Sequence, residues 1–238
     1  MKLAKDYIIF PLDVPTADRA MSYVNRLAEH VGLFKVGLEL FISEGPALLG
    51  AIRRAGSAGI FLDLKLHDIP ATMQRAMKAA ARHRPEFVTV HCDEGGGFLK
   101  ETVKDNPDTK ILGITVLTSL DAPKLEAMGY DEAYVKDIAA LVLLRARLAK
   151  EAGCHGVVCS GLEVSGIKKA FGPDFMAMTP GIRPVWTLVE GDDQKRIVTP
   201  AAAVKNGADY VVIGRPIRDA EIPADAADRV AEEIAAAL

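Results

Sequence analysis

The chain has 238 residues, of which 50% are hydrophobic and 26% charged, and its 29 basic and 32 acidic residues give a formal net charge of -3. This composition excludes a disordered chain, and without a basic stripe it argues against nucleic acid as a partner. The N-terminal residues lack a signal-peptide pattern and no run of about 18 apolar residues could span a bilayer, so we expect a cytoplasmic protein.

Short runs rich in Val, Ile, Phe and Leu alternate with amphipathic stretches, which is typical of β-strand and α-helix units around a parallel sheet. The predicted strands are Tyr7–Val14, Leu33–Leu38, Gly59–Leu66, Phe87–Cys92, Lys110–Leu117, Gly156–Ser160, Phe175–Gly181 and Tyr210–Arg215. The clearest predicted helices are Thr16–His30, Gly45–Ala55, Ala71–His83, Asp131–Ala152, Pro200–Gly207 and Pro223–Leu238.

Eight strand–helix units in a chain of this length favour a (β/α)8 TIM barrel over an open, doubly wound α/β sheet. No G-x-G-x-x-G motif follows the first strand, which removes the commonest sign of the open sheet. No linker or shift in composition interrupts the chain, so residues 1–238 are predicted to form a single barrel domain.

Three cysteines, Cys92, Cys154 and Cys159, are an odd number without a C-x-x-C spacing. They are predicted to be small buried hydrophobic residues rather than disulfide partners or zinc ligands.

Polar residues collect where the predicted strands end, and in a barrel those ends converge on the C-terminal face, where the active sites of this fold are built. They are Asp13 at the end of strand one, Lys35 in strand two, Asp63 and Lys65 at the end of strand three, Thr118 and Ser119 at the end of strand five, Arg183 after strand seven and Arg215 at the end of strand eight.

The segment FLDLKLHDIP, residues 61–70, holds the densest charge in an apolar run. Successive strand residues point to opposite faces, so Asp63 and Lys65 share one face of the third strand. With Asp68, Lys35 and Asp13 they form a cluster of alternating charge. A fixed ammonium there could stabilise a carbanion and donate a proton, but a structural salt-bridge network would use the same residues, and the spacing alone leaves both open.

The arginines after strands seven and eight, Arg183 and Arg215, lie where a barrel usually binds phosphate, and Gly214 precedes the second of them. A surface arginine in a tight turn is the alternative. The polar loop from Trp186 to Gln194 is long enough to act as a lid, and His91 at the end of strand four is interpreted as a structural histidine.

The chain resembles the bacterial type of the orotidine 5'-phosphate decarboxylase family over essentially its full length. The resemblance rests on motifs in family order, of which the D-x-K-x-x-D-I-P motif at residues 63–70 is the most specific. The motifs are Leu12–Val14, Lys35–Gly37, Phe61–Thr72, Thr115–Ser119, Thr179–Pro184, Asp193–Arg196 and Val212–Pro216.

The resemblance implies cofactor-free conversion of orotidine 5'-phosphate to uridine 5'-phosphate and carbon dioxide, the last step of uridylate (UMP) synthesis. It assigns the proton donor to Lys65, and it implies a homodimer in which Asp68 and Thr72 reach into the neighbouring site. The other implied residues are Asp63, Asp68 and Lys35 in the charged network, Asp13 and Lys35 at the sugar, Thr118 and Ser119 at the pyrimidine, and Arg183, Gln194, Gly214 and Arg215 at the phosphate.

Two alternatives stay open. A magnesium-dependent sugar-phosphate decarboxylase or synthase of the same superfamily would share the D-x-K-x-x-D spacing, but Lys35 stands where such relatives place a glutamate ligand. A phosphate-binding barrel without turnover would have no use for the desolvation cost of the charged cluster.

Overall fold

Eight parallel strands close into a barrel in the computed structural model, which describes residues 2–93, 96–187 and 198–238. The strands are β1 (Ile8–Pro11), β2 (Leu33–Gly37), β3 (Gly59–Leu66), β4 (Phe87–His91), β5 (Lys110–Ile114), β6 (Gly156–Val158), β7 (Met176–Thr179) and β8 (Tyr210–Val212). Each strand pairs with the next along the chain, and β8 closes the barrel by pairing with β1 through Val212 and Ile9. The predicted (β/α)8 barrel is confirmed.

Helices surround the barrel and connect its strands. They are α1 (Ala17–Leu27), α2 (Leu38–Glu44), α3 (Ala47–Ala55), α4 (Pro70–Ala81), α5 (Gly96–Lys104), α6 (Ala122–Ala127), α7 (Glu132–Lys136), α8 (Ile138–Glu151), α9 (Val164–Phe171), α10 (Pro200–Lys205), α11 (Arg215–Arg218) and α12 (Pro223–Ala235). Two 3-10 turns lie at Ala4–Tyr7 and Val185–Thr187. The last helix packs against the first 3-10 turn and against α1, so both ends of the chain belong to one domain.

The core has two layers, because successive strand residues face alternately the barrel interior and the helices. The interior cluster contains strand residues alone, among them Phe61 and Phe87, whose rings meet edge to face at 6.3 Å. The outer cluster joins residues such as Ile60 and Leu62 to the helices. Asp63 and Lys65 continue the inward series that Phe61 begins, which directs them toward the mouth of the barrel.

Several strands end earlier than predicted. β1 ends at Pro11 instead of Val14, β5 at Ile114 instead of Leu117, and β8 at Val212 instead of Arg215. The predicted strands are too long because apolar residues that follow the last hydrogen-bonded strand residue are also buried, as Val116 and Ile213 are in the loops. Three site residues therefore lie beyond the strands. Thr118 and Ser119 form a turn beyond β5, and Arg215 begins α11.

Two predicted helices also differ from the structure. The sequence pattern predicts one helix over Asp131–Ala152, but Asp137 adopts a non-helical backbone and its carboxylate accepts the Ala140 N–H at the start of α8, which separates α7 from α8. The helix predicted from Gly45 is preceded by α2, and Gly45 separates α2 from α3 with a φ of +69°, a left-handed conformation that favours glycine.

The three cysteines are free and buried, as predicted. Burial raises the pKa of the Cys92 thiol to about 12 and also raises that of Cys154. Neither thiol therefore ionises at neutral pH.

Among the helices of the described ranges, none combines the length and apolar character needed to cross a bilayer.

Candidate active site

A cavity of about 450 Å³ opens at the C-terminal ends of the strands. This volume lies within the range of small-molecule sites, and its wall is partly apolar, with Ile114, Val116 and Val158 among its residues. Many of the polar residues singled out in the sequence line it: Asp13, Lys35, Asp63, Lys65, Thr118, Arg183, Gly214 and Arg215.

Four charged side chains form a continuous row of alternating sign along one wall. Asp13 Oδ1 lies 2.9 Å from Lys35 Nζ, and Lys35 Nζ lies 3.7 Å from Asp63 Oδ2. The same Asp63 oxygen lies 2.6 Å from Lys65 Nζ. The middle of the row, Lys35 and Asp63, is largely buried, whereas its two ends are partly open to solvent, with Asp13 at 52% and Lys65 at 33% side-chain exposure. Each ammonium thus has a carboxylate partner, which offsets its desolvation.

Gly37 leaves room for the Asp13–Lys35 end of this row. A Cβ at this position would lie 3.1 Å from Lys35 Nζ and 3.5 Å from Asp13 Oδ1. A side chain here would therefore press against the Lys35–Asp13 ion pair. The glycine at the end of β2 keeps this pair in place beside the cavity.

The register of β3 against β4 changes where the charged residues lie. Leu62 pairs with Val88 and Leu66 with Val90, so three residues of β3 face the single residue Thr89. Within this bulge Lys65 has a φ of +48°, a left-handed backbone that is unusual for a residue other than glycine. Such strain is often found at functional sites.

The opposite part of the cavity is cationic. Arg183 is buried, and its guanidinium donates a hydrogen bond to the carbonyl of Ile182. Arg215 is exposed at the start of α11. Gly214 precedes Arg215, and a Cβ on it would approach Pro11 Cγ at 3.0 Å. A helix start with an adjacent guanidinium suits a phosphate group.

Arg218, which was not among the predicted site residues, also lines the cavity. Its guanidinium is held by Asp219, with Nε 2.6 Å from Oδ1, and this hydrogen bond raises the pKa of Arg218 and lowers that of Asp219. The positions Arg215 and Arg218 are one helical turn apart on α11, a spacing that could have revealed the second arginine.

Three predicted site residues do not line the cavity formed by the described part of the chain. Asp68 is exposed and its carboxylate accepts the N–H of Ile69 at 2.7 Å. Thr72 is half-buried on α4, where its hydroxyl oxygen accepts a hydrogen bond from Arg75 at 3.3 Å. Ser119 is exposed, and its carbonyl accepts a hydrogen bond from Lys124. Gln194 lies outside the described residues.

Trp186, at the base of the predicted loop, packs against the core and stacks with Arg229 of α12, whose guanidinium carbon lies 4.1 Å from the ring centroid. The stacking ties the 3-10 turn at Val185–Thr187 to α12. The rest of the predicted loop from 188 to 194 lies outside the described residues.

A second polar cluster lies behind the charged row, at the ends of β3 and β4. His67 Nε2 is 3.5 Å from Asp93 Oδ1, and the rings of His67 and His91 are 4.9 Å apart. Arg145 of α8 is buried and donates to Asp93, to the Thr115 carbonyl and to the Tyr130 hydroxyl. These contacts tie the loops after β4 and β5 to α8.

Burial lowers the pKa of His91. The positive charges of Lys65 and Arg145 and the His67 ring lower this pKa further, whereas the Asp93 carboxylate raises it. In the unfolded chain this histidine has its ordinary pKa of about 6.5, so below that pH the unfolded chain binds more protons than the folded chain. We expect the free energy of unfolding to decline below about pH 6.5, and His91→Asn to reduce this decline.

Chemical denaturation at several pH values measures that dependence. Part of the decline should persist in the variant, because burial also lowers the pKa of His155. An unchanged pH dependence in His91→Asn would mean that His91 does not contribute to acid sensitivity.

Among the residues that the structure describes, no group of three or more His, Cys, Asp or Glu side chains is arranged to hold a metal ion.

Comparison with known proteins agrees with this fold and this set of motifs. The sequence model of the orotidine 5'-phosphate decarboxylase / HUMPS family matches residues 6–230. Orotidine 5'-phosphate decarboxylase of Desulfosudis oleivorans is 49% identical over 237 residues, which cover 98% of this chain and 95% of the relative. The enzyme of the same name from Trichlorobacter lovleyi is 42% identical, with 99% and 98% of the two chains covered.

Among solved structures, orotidine 5'-phosphate decarboxylase from Lactobacillus acidophilus superposes with a TM-score of 0.82 at 32% identity, covering 95% of this chain and 98% of the other. The family match spans nearly the whole barrel, and the two sequence relatives cover almost the full length of the chain. The chain therefore belongs to the orotidine 5'-phosphate decarboxylase / HUMPS family.

Proposed function

We propose that this protein decarboxylates orotidine 5'-phosphate to uridine 5'-phosphate in pyrimidine biosynthesis, without a cofactor. The observation that carries the proposal is the row Asp13–Lys35–Asp63–Lys65 at the mouth of the barrel. Similarity to enzymes named for this reaction supports it. A cytoplasmic location is part of the same proposal, since a charged nucleotide does not cross a bilayer unaided.

The proposed chemistry begins with cleavage of the bond between the pyrimidine ring and its carboxylate. Carbon dioxide leaves, and the electron pair stays on the ring carbon, which has no position in the ring over which to delocalise the charge. The Lys65 ammonium, held at 2.6 Å by Asp63, is a fixed cation where this charge develops. Preorganised charge of this kind usually contributes more to catalysis than any other single effect. Lys65 then donates a proton to the ring carbon and regains one from solvent.

The remaining site residues are proposed to bind the rest of the nucleotide. Asp13 and Lys35 offer a carboxylate and an ammonium to the sugar hydroxyls. Thr118 on the cavity wall and its exposed neighbour Ser119 are proposed to contact the pyrimidine. The phosphate is assigned to the cationic end of the cavity: Arg183, Gln194, Gly214 and Arg215. A phosphate held far from the reacting carbon can contribute binding energy that is expressed in the transition state.

A magnesium-dependent reaction is the second enzymatic candidate, and the position of Lys35 argues against it. Its ammonium lies 2.9 Å from Asp13 and 3.7 Å from Asp63, so it occupies the space between the two carboxylates that a hard cation would need. An ammonium there would repel the metal.

Turnover of orotidine 5'-phosphate by chelator-treated protein tests the proposed function. Product formation is followed by the loss of absorbance at the substrate band, with carbon dioxide release measured in parallel. We expect the same rate before and after chelation and no gain from added magnesium. Turnover that requires magnesium, or no turnover at all, would contradict the proposal.

A homodimer with shared sites is also proposed. Asp68 is exposed beyond the end of β3, and the next residue, Ile69, is 67% exposed. Leu38 and Ile42 of α2, the helix that follows the neighbouring strand β2, are 49% and 77% exposed. Large exposed apolar side chains after two neighbouring strands are the kind of surface that a partner chain could cover. In a two-fold dimer that buries this surface, Asp68 and Thr72 could complete the partner's site.

Arg215→Ala should weaken binding of the phosphate. Arg215 is exposed in the free protein, and removing its half of a charge pair that becomes desolvated when the phosphate binds costs on the order of 2 to 5 kcal/mol. We expect kcat/KM for orotidine 5'-phosphate to fall accordingly, with little change for orotidine, which lacks the phosphate. Steady-state kinetics on both substrates measure the difference. An equal loss on the two substrates would show that Arg215 does not bind the phosphate.

A further inference from the structure

Thr89 lies in the middle of β4 and is fully buried. It follows Phe87 in the inward-facing series of that strand, so its side chain is directed into the barrel just below the charged row. A threonine hydroxyl buried in such a place needs hydrogen-bond partners, since an unpaired one is costly. Both of its partners belong to β3.

The directions of these two hydrogen bonds are fixed by chemistry. The backbone N–H of Lys65 can only donate, and it lies 2.9 Å from Thr89 Oγ1. The hydroxyl in turn donates to Asp63 Oδ1 at 2.9 Å. One hydroxyl therefore connects the backbone of the lysine to the carboxylate that holds the ammonium of the same lysine.

This connection lies at the bulge between β3 and β4. Because three residues of β3 face one residue of β4, the Lys65 N–H is displaced from the regular ladder, and the Thr89 side chain takes the place of a backbone acceptor. The bond supports the left-handed backbone of Lys65, whose φ of +48° would otherwise be disfavoured.

The bond to Asp63 orients the carboxylate. With Oδ1 held by Thr89, Oδ2 is directed to the ammonium groups of Lys65 and Lys35 at 2.6 and 3.7 Å. Free rotation of the carboxylate would break this arrangement. The position of the Lys65 ammonium thus depends on Thr89 twice, through its backbone and through its carboxylate partner.

We propose that Thr89 is a positioning residue of the active site, which sets where the Lys65 ammonium stands without touching the substrate. This inference rests on the proposed decarboxylase function for its kinetic consequence, although its structural part does not. A group displaced by about 1 Å can lower a rate by about 100-fold, so the loss of the hydroxyl should appear in kcat.

Three variants separate positioning from packing. Thr89→Val has the same shape without the hydroxyl, and Thr89→Ser keeps the hydroxyl. Thr109→Val removes a hydroxyl from another buried threonine, which lies just before β5 at the N-terminal end of the barrel, away from the charged row. We expect kcat of Thr89→Val to fall about 100-fold with KM within about threefold of wild type. The kcat of Thr89→Ser and of Thr109→Val should stay within about threefold of wild type.

Hydrogen exchange of the Lys65 amide gives a readout that does not depend on turnover. The amide should be protected in the wild-type protein and in Thr89→Ser, and it should exchange faster in Thr89→Val. Equal losses of kcat in Thr89→Val and Thr89→Ser, or an unchanged kcat in Thr89→Val, would overturn the inference. An unprotected amide in the wild-type protein would overturn it even if Thr89→Val fails to fold.

The two proposals fail in different ways. Wild-type protein that does not turn over orotidine 5'-phosphate contradicts the proposed function, and the amide exchange then decides the role of Thr89 alone. Active wild-type protein with an unaffected Thr89→Val contradicts only the positioning role.

Discussion

We expect Lys65→Ala to lower kcat by at least about 10⁴-fold, because it removes both the cation that meets the developing charge and the proton donor. The affinity for uridine 5'-phosphate should change much less, since the arginines at the phosphate end of the cavity are untouched. Single-turnover kinetics and a binding titration measure the two quantities. The expected result is a loss in kcat that is not matched in product binding.

The variant should fold, because Asp63 keeps its hydrogen bond from Thr89 and its ion pair with Lys35 at 3.7 Å. Thermal unfolding provides the control for a structural cause. Activity above about a tenth of wild type in a folded Lys65→Ala protein would show that another group donates the proton.

Asp68→Ala should be nearly inactive as a homodimer, although the carboxylate is exposed and lies outside the cavity of its own chain. Under the shared-site proposal, each site takes Lys65 from one chain and Asp68 from its partner. Removing Asp68 would therefore damage the site of the other chain.

Refolding inactive Lys65→Ala and inactive Asp68→Ala protein together tests this sharing. In a hybrid dimer one site carries both lesions and the other carries neither. Random association of equal amounts makes about half of the dimers hybrids, each with one intact site of two, so about a quarter of wild-type activity should return. A mixture that forms hybrids, as shown by a mass tag on one variant, yet stays inactive would place Asp68 in the site of its own chain.

The part of the site on β3 was predictable because strand periodicity is local. The strand Gly59–Leu66 has the predicted bounds, and alternation placed Asp63 and Lys65 on the same inward face. The barrel followed from eight alternating units, and convergence of the strand ends brought Asp13 and Lys35 to the same wall.

Thr89 was missed because its role depends on register, which the pattern of one strand does not contain. The shift that sets three residues of β3 against it arises from the pairing of β3 with β4. An inward threonine between Phe87 and His91 was the available signal, since a buried hydroxyl requires partners on a neighbouring strand.

The ends of strands and helices were less predictable for a related reason. Apolar residues such as Val116 stay buried after the hydrogen-bonded ladder stops, so hydrophobicity alone extended β5. Arg215 was assigned to the last strand, but it begins α11, where Gly214 and Pro216 favour a helix start.

A crystal structure of the protein with an unreactive uridylate analogue bound is the most direct test of the proposed site. The ring carbon that would carry the carboxylate should lie within reach of Lys65 Nζ, and the phosphate should contact Gly214 and Arg215. The sugar should meet Asp13 and Lys35, with Asp68 of the partner subunit beside it. An analogue bound with its ring away from Lys65, or with its phosphate at the charged row Asp13–Lys35–Asp63–Lys65, would contradict the proposed decarboxylase site.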